Sequence, residues 1–256
     1  LEGEGYRVVA GINGDFYNVS TGLPIGLVIT DGVLRSSDAG YYAIGFRADG
    51  TAVLGKPGVK VSADLGYAVD DGSGSPVELI RPVIAVNKAR TNSGVFLYTY
   101  DFNAKHTTGT TEAGVNVVCT VEQGQLAIGS TVTARVERVE ETTVTSIQPD
   151  QIVLSANANA DAYYTNALRN MSAGSEVTLT VSANAGWDDV EYAVGALYCL
   201  AENGAVVSGL AAGVNPRTAV GQKADGTLVF YTIDGRRSGY SIGASLTQVG
   251  QRLVEL

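Results

Sequence analysis

The sequence has very little histidine and cysteine. Among its 256 residues there is one histidine, His106, and there are two cysteines, Cys119 and Cys199. The usual zinc sites need several such ligands, so we expect no metal site of this kind. A Ser-His-Asp triad would depend on His106 alone, which lies in a polar stretch where a histidine is usually exposed. The two cysteines could pair in an oxidising compartment or stay as buried free thiols, and both alternatives stay open.

Charged residues are also few, and acidic residues outnumber basic ones. They make up 17% of the chain, which carries a formal net charge of −9. Because there is no basic stripe, nucleic acid is not an expected partner. No apolar run is long enough to span a bilayer. The acidic, lysine-poor composition favours a secreted or cell-surface protein, with a bacterium as the expected source. The first residues are neither a start methionine nor a signal peptide, so we expect a processed piece of a longer protein.

Glycine, valine, threonine and tyrosine are abundant, which indicates many strands and turns. Asp31-Gly32 and Ala48-Asp49-Gly50 each lie between two short apolar runs, and this pattern predicts β-hairpins. Tyr6–Ile12 is predicted to be a strand that leads into a polar turn. The expected fold class is α+β, with a strand-rich mixed sheet and a few flanking helices.

Three segments have helical patterns. Asp161–Met171 is expected to turn Ala162, Leu168 and Met171 inward, and Asp188–Val194 is expected to be a short helix. Ser245 and Gln248 form a capping-box pattern at the start of a helix that runs to Leu256.

The polar stretch Asp70–Pro76 is the best candidate boundary within the chain. Strands before it, including Val59–Leu65, are expected to form one meander. The closely spaced strands after it predict a small strand-rich subdomain over residues 81–186, inserted into a single domain of residues 1–256.

Polar groups of complementary chemistry occur in three segments near the ends of predicted strands. Asn13-Gly14-Asp15 follows the first, Asn215–Gly221 contains Arg217 after a proline, and Asp234-Gly235-Arg236 follows a late strand. Guanidinium groups bind phosphate oxygens bidentately, so two arginines with a carboxylate suit an anionic substrate. The alternative for each segment is an ordinary turn, in which Arg217 binds loop carbonyls and Arg236 is solvated.

In order and spacing, these segments resemble the phosphodiester glycosidase family. The resemblance rests on Gly11–Tyr17, Gly22–Gly26 with Asp31-Gly32, Asn215–Gly221, Asp234-Gly235-Arg236 and Gly239–Ser241. It implies hydrolysis of a sugar-1-phosphodiester at the anomeric carbon, which releases the free sugar and a phosphomonoester.

Carried over by position, the resemblance implies a site made from residues that are far apart in the chain. The implied catalytic residues are Asp15, Asp234 and Arg217, and the implied substrate-binding residues are Asn13, Thr218, Arg236, Gly239 and Ser241. It implies no metal ligand and leaves any cofactor unknown. The expected partner is a carbohydrate phosphodiester. The arginines would hold the phosphate while Asp15 or Asp234 acts as base or nucleophile, so retention and inversion both stay open.

The sequence departs from the family pattern in three places. Asn215 stands where the family usually has histidine, and Gly195-Ala196-Leu197-Tyr198 stands where it has a glycine-rich segment. The family's Asp-Gly-Gly-Gly-Ser-Thr motif is not found after the last helix, so we expect the parent chain to supply the corresponding C-terminal strand. Two alternatives follow: a non-catalytic glycan- or phosphoglycan-binding module on the same fold, and an ordinary glycosidase acting on neutral glycans.

Overall fold

Within the part of the chain that the structure describes, the strands form one open sheet, one closed barrel and two hairpins. The structure is a computed structural model, and it describes residues 5, 7, 8, 10–70, 72 and 75–256. The strands, in chain order, are β1 (Val28–Thr30), β2 (Val33–Ser36), β3 (Tyr42–Arg47), β4 (Ala52–Gly55), β5 (Lys60–Asp70), β6 (Pro76–Val86), β7 (Val95–Thr99), β8 (Gly114–Gln123), β9 (Thr131–Thr142), β10 (Gln151–Asn157), β11 (Glu176–Ser182), β12 (Val190–Ala196), β13 (Ala201–Glu202), β14 (Ala205–Val206), β15 (Arg217–Gln222) and β16 (Leu228–Ile233). Within the described residues there are two α-helices, α1 (Ala162–Arg169) and α2 (Leu246–Glu255).

The open sheet has the strand order β2-β1-β12-β3-β4, and all its pairs are antiparallel. The barrel has the order β10-β7-β6-β5-β11-β9-β8 and closes between β8 and β10, with one parallel pair, β6 and β7. The chain leaves the open sheet after β4, builds the barrel and returns as β12. The strand-rich prediction is therefore confirmed, although helices contribute less than the expected α+β class suggests.

Several local predictions are confirmed. Asp31 and Gly32 both have positive φ, 52° and 72°, and they join β1 to β2 in the expected tight turn. β3 and β4 pair around the second predicted turn. At the start of α2, the Gln248 backbone N–H donates to Ser245 Oγ over 3.2 Å, and the Ser245 N–H donates to Gln248 Oε1 over 2.9 Å, which completes the capping box.

The helix predicted over Asp188–Val194 is wrong, because this segment leads into β12. β12 is the central strand of the open sheet and forms backbone hydrogen bonds with β1 on one side and β3 on the other. These two ladders pair the backbone N–H and C=O groups of β12 with distant strands, which the local sequence does not reveal. Val190 and Ala193 point into the core from this strand.

Two other predictions need correction. In α1, Leu168 is buried and Met171 is buried just beyond the helix, as expected, but Ala162 is exposed; Thr165 and Ala167 face inward instead. Tyr6 and Val9 of the predicted first strand lie outside the described residues, and its described residues, 7, 8 and 10–12, form no strand.

The open sheet and the barrel share one hydrophobic core. Leu27, Ile29 and Leu34 from the sheet region belong to the same buried cluster as Val86 and Leu97 of the barrel. Since β5 begins at Lys60, the segment expected to extend the first meander belongs to the barrel. The predicted boundary at Asp70–Pro76 includes residues 71, 73 and 74, which lie outside the described residues. An independent subdomain over residues 81–186 stays a prediction.

Both cysteines are free thiols. Cys119 is buried in the barrel, where burial raises its pKa to about 12, and Cys199 is half-buried. In the part of the chain that the structure describes, no helix is both long and apolar enough to cross a membrane.

Candidate active site

The hairpin of β15 and β16 positions most of the residues that the sequence singled out. Arg217 pairs with Ile233 at the open end of the hairpin. The segment that leads into Arg217 and the segment that follows Ile233 therefore lie next to each other. The segment before β15 also pairs with the segment before α2, because Asn215 and Ala244 exchange two backbone hydrogen bonds of 3.2 and 3.0 Å. The predicted polar loops therefore converge at one end of a small sheet.

Arg236 lies in the second of these loops and contacts the first. Its Nη2 donates a hydrogen bond to Asn215 Oδ1 over 2.9 Å, and its side chain is exposed. Its φ is 59°, a left-handed conformation that costs a residue with a Cβ about 1–2 kcal/mol. An arginine kept in this conformation is a candidate functional residue, since backbone strain concentrates at such sites.

The loop that carries Asp234 is closed by its own hydrogen bonds. Ser241 Oγ donates to the backbone carbonyl of Asp234 over 2.6 Å, and the Arg237 and Ser241 backbones exchange two bonds of 2.9 Å each. Gly239 is at the tip of this loop with a positive φ of 77°. The Asp234 side chain is exposed. The structure thus gives Ser241 a role in holding the loop, while the carboxylate of Asp234 lies at the surface.

Arg217 is half-buried and binds backbone carbonyls. Its Nε donates to Ala244 O over 3.3 Å, and its Nη2 donates to Gly213 O over 3.0 Å. These are the contacts expected of an arginine that ties loops together. They leave Nη1 as the part of the guanidinium that is not bound to either carbonyl.

The N-terminal polar turn reaches this hairpin through Asn13. The Thr218 hydroxyl donates a hydrogen bond to Asn13 Oδ1. Because side chains alternate along a strand, Thr218 and Arg217 face opposite sides of β15. Asn13 therefore lies on the side of the hairpin opposite to the side that Arg217 faces.

Asp15 is anchored on both carboxylate oxygens. Oδ1 accepts the Phe16 N–H over 2.7 Å, and Oδ2 accepts the Gly26 N–H over 2.8 Å. The carboxylate packs against two glycines: a Cβ at Gly26 would come within 2.5 Å of Oδ2 and 2.7 Å of Gly195 Cα, and a Cβ at Gly195 would overlap Oδ2. Asp15 is thus held at the centre of the open sheet, since Gly195 belongs to β12.

Lys88 contacts residues 24–26, the segment whose Gly26 N–H binds Asp15. Its ammonium donates to the carbonyls of Pro24, Ile25 and Gly26 over 2.6, 2.9 and 3.0 Å. Burial lowers the pKa of Lys88 to about 8, and the negative charges of Asp15 and Asp38 oppose this shift. Nothing in the local sequence marks Lys88 as a site residue, because it follows a barrel strand and belongs to no recognisable motif.

The structure thus links the predicted residues in two groups, one around Asp15 and one at the hairpin end, joined by the contact between Asn13 and Thr218. Among the described residues, no ion pair joins Asp15 or Asp234 to Arg217 or Arg236. In the same part of the chain, no group of three His, Cys, Asp or Glu residues could hold a metal ion.

His106 lies apart from these groups, in the barrel. Its ring stacks on Tyr100, with 3.6 Å between the ring centroids, and Nδ1 lies 2.9 Å from the Tyr100 carbonyl oxygen. These contacts indicate that His106 stabilises the loop between β7 and β8.

A family model described as phosphodiester glycosidase matches residues 130–256, which is just under half of the chain. The chain is similar to phosphodiester glycosidases. This match covers the hairpin end with Arg217, Asp234 and Arg236, and it confirms the resemblance over that region. Asn13, Asp15 and Lys88 lie outside the matched residues.

The fold also has a solved relative. The crystal structure of a hypothetical protein from Synechocystis superposes with a TM-score of 0.66 at 17% sequence identity, covering 93% of this chain and 42% of the other. This likeness shows a shared fold, and the chain spans less than half the length of that protein. No curated protein matches the sequence.

Proposed function

We propose that this protein hydrolyses a sugar-1-phosphodiester at the anomeric carbon, releasing the free sugar and a phosphomonoester. The observation that carries the proposal is the match to phosphodiester glycosidases over the region in which Arg236 and Arg217 lie at one hairpin end. The expected substrate is a carbohydrate phosphodiester, and a secreted or cell-surface location remains part of the proposal.

In this reaction Arg236 is the better placed phosphate ligand. Its bond to Asn215 uses one of five guanidinium N–H donors, and the side chain is exposed. Neutralising the phosphate charge makes it a better leaving group as positive charge develops at the anomeric carbon. Arg217 supports this arrangement by holding the 213–217 segment to Ala244.

Asp15 is the better placed carboxylate. Two backbone N–H groups bind its two oxygens, one each, which holds the carboxylate in a single orientation. As a base, it would take a proton from water while the water oxygen bonds to the anomeric carbon and the bond from that carbon to the phosphate oxygen breaks. As a nucleophile, its own oxygen would bond to the anomeric carbon as the bond to the phosphate oxygen breaks, and water would then hydrolyse this glycosyl ester to release the free sugar. Asp234 is the second candidate for either role.

The test uses a sugar linked through its anomeric phosphate to p-nitrophenol. Cleavage at the anomeric carbon yields free sugar and p-nitrophenyl phosphate, which gives colour only after phosphatase is added. Cleavage on the other side of the phosphorus yields sugar-1-phosphate and releases p-nitrophenol directly. In water enriched in ¹⁸O, the proposal requires the label in the sugar and none in the phosphate. Label in the phosphate would contradict it.

A non-catalytic binding module is the second candidate, and the contacts of Arg217 favour it. Its Nε and Nη2 are bound to loop carbonyls, and Asn215 stands where the family usually has histidine. This alternative predicts saturable binding of the same phosphodiester without release of sugar. The C-terminal strand expected from the family pattern also stays a prediction.

A further inference from the structure

The residue that ties the barrel to the candidate site is Lys88, which lies directly beneath the segment that binds Asp15. Its ammonium has three hydrogen-bond donors, and all three meet consecutive carbonyl oxygens, those of residues 24, 25 and 26. The peptide group between Ile25 and Gly26 therefore has a double role: its carbonyl accepts from Lys88 and its N–H donates to Asp15 Oδ2.

The barrel fixes the position of Lys88 through the residue before it. Asn87 has a φ of 52° and is almost fully buried. Its Nδ2 donates to Arg35 O and to Thr99 Oγ1, each over 2.8 Å, and its Oδ1 accepts the Thr99 N–H over 3.0 Å. These bonds compensate for the left-handed backbone just beyond the end of β6.

A second connection joins the same end of β6 to the open sheet. The Val86 N–H donates to Ser37 Oγ over 3.0 Å, and the Ser37 N–H donates to the Val86 carbonyl over 3.2 Å. Asp38, which follows, is buried and adds a negative charge near Lys88. The negative charges of Asp15 and Asp38, neither of which belongs to the barrel, both act on Lys88.

We propose that Lys88 is a positioning residue of the active site, which fixes the 24–26 segment so that the Gly26 N–H orients the carboxylate of Asp15. This inference rests on the proposed function for its effect on turnover, but the anchoring of Asp15 can be measured without turnover. The barrel then contributes to the site directly, since Lys88 lies just beyond the end of β6.

The main experiment compares Lys88→Met with the wild-type protein. Methionine fills similar space without charge or donors, so the 24–26 segment loses three hydrogen bonds. We expect kcat for the sugar phosphodiester to fall by about 100-fold, because misplacing a reacting group by 1 Å costs about that much, while KM changes little. Lys105→Met, which removes an exposed lysine from a barrel loop, is the matched control and should keep wild-type kcat.

Two further measurements separate positioning from general stability. Hydrogen exchange of the Gly26 amide should speed up in Lys88→Met and stay unchanged in Lys105→Met. The wild-type kcat should fall toward that of Lys88→Met as pH rises through about 8, where Lys88 loses its proton. If Lys88→Met does not fold, Lys88→Arg provides the test: it keeps the charge, but its planar fork does not match three consecutive carbonyls, so kcat should still fall.

The possible outcomes separate the two proposals. Faster Gly26 exchange together with a lower kcat supports the inference. Faster Gly26 exchange in a protein that releases no sugar supports the anchoring of Asp15 and rejects the proposed function. A folded Lys88→Met or Lys88→Arg with wild-type kcat and wild-type Gly26 exchange overturns the inference.

Discussion

The Thr218 hydroxyl donates a hydrogen bond to the Asn13 side-chain oxygen across 205 positions of sequence. This contact joins the N-terminal turn that carries Asp15 to the hairpin whose end carries the two arginines. Through it the two groups of candidate residues are connected.

Replacing Thr218 with valine should loosen this junction. Valine has nearly the same shape but no hydroxyl, so Asn13 loses its partner and the free energy of unfolding should fall by about 1 kcal/mol. Turnover of the sugar phosphodiester should fall as well. Thr232→Val is the control, since Thr232 is the exposed cross-strand partner of Thr218. Equal turnover in both variants would argue against a role for the junction.

Gly195→Ala should displace Asp15. The new methyl group would overlap Asp15 Oδ2 and lie 2.7 Å from Gly26 Cα, within the centre of the open sheet. Overpacking of this kind costs about 1–3 kcal/mol, which thermal unfolding would detect, and activity should be lost. Gly11→Ala adds the same methyl group where no atom lies within 4 Å, so it should leave thermal stability and activity unchanged.

Arg236→Gly tests phosphate binding by the Arg236 side chain without a large change in stability. The variant loses the hydrogen bond to Asn215, worth about 1 kcal/mol, but relieves the left-handed backbone strain of about 1–2 kcal/mol. The free energy of unfolding should therefore change little, while KM for the phosphodiester rises at least about tenfold because a charge-assisted phosphate contact is lost. Arg237→Gln removes the neighbouring charge and should leave KM within about twofold. A rise in KM of the same size for both variants would indicate that the arginines only attract the anionic substrate at long range, without direct contact by Arg236.

The stability of the protein should depend on pH through Lys88. Its pKa is about 8 in the folded protein and about 10.4 in an unfolded chain. Between these values the unfolded chain binds more protons, so the free energy of unfolding should rise with pH across this window. Below pH 8 both states hold the proton and this dependence disappears. Chemical denaturation of wild type and Lys88→Met at pH 7 to 11 isolates the effect, because other titrating groups are common to both. Parallel pH profiles would show that Lys88 titrates normally.

Features set by neighbouring residues were predictable from the sequence. The turn at Asp31-Gly32 follows from backbone conformations that these two residues adopt readily, and the capping box needs only Ser245 and Gln248, three positions apart. The order of the polar segments was also sufficient to suggest the family. These signals act within a few residues, so the rest of the fold changes them little.

Features that depend on distant partners were not predictable. Val190–Ala196 is a strand because β1 and β3 flank it, although the overlapping segment Asp188–Val194 suggested a short helix. Lys88 and Asp15 are brought together only by the packing of the barrel on the open sheet. The use of Arg217 as a donor to Ala244 and Gly213 could not be distinguished from phosphate binding, since both follow equally from a proline before an arginine.

The position of β12 between β1 and β3 has a consequence for synthesis of the protein. Val28 pairs with Val194, so the ribosome must add the whole barrel before the middle of the open sheet exists. Pairings this distant in sequence form slowly. Until β12 arrives, β1 and β3 expose unpaired edges on the nascent chain, and the glycine surface against which Asp15 rests is incomplete. Assembly of the candidate site is therefore expected among the last events in folding.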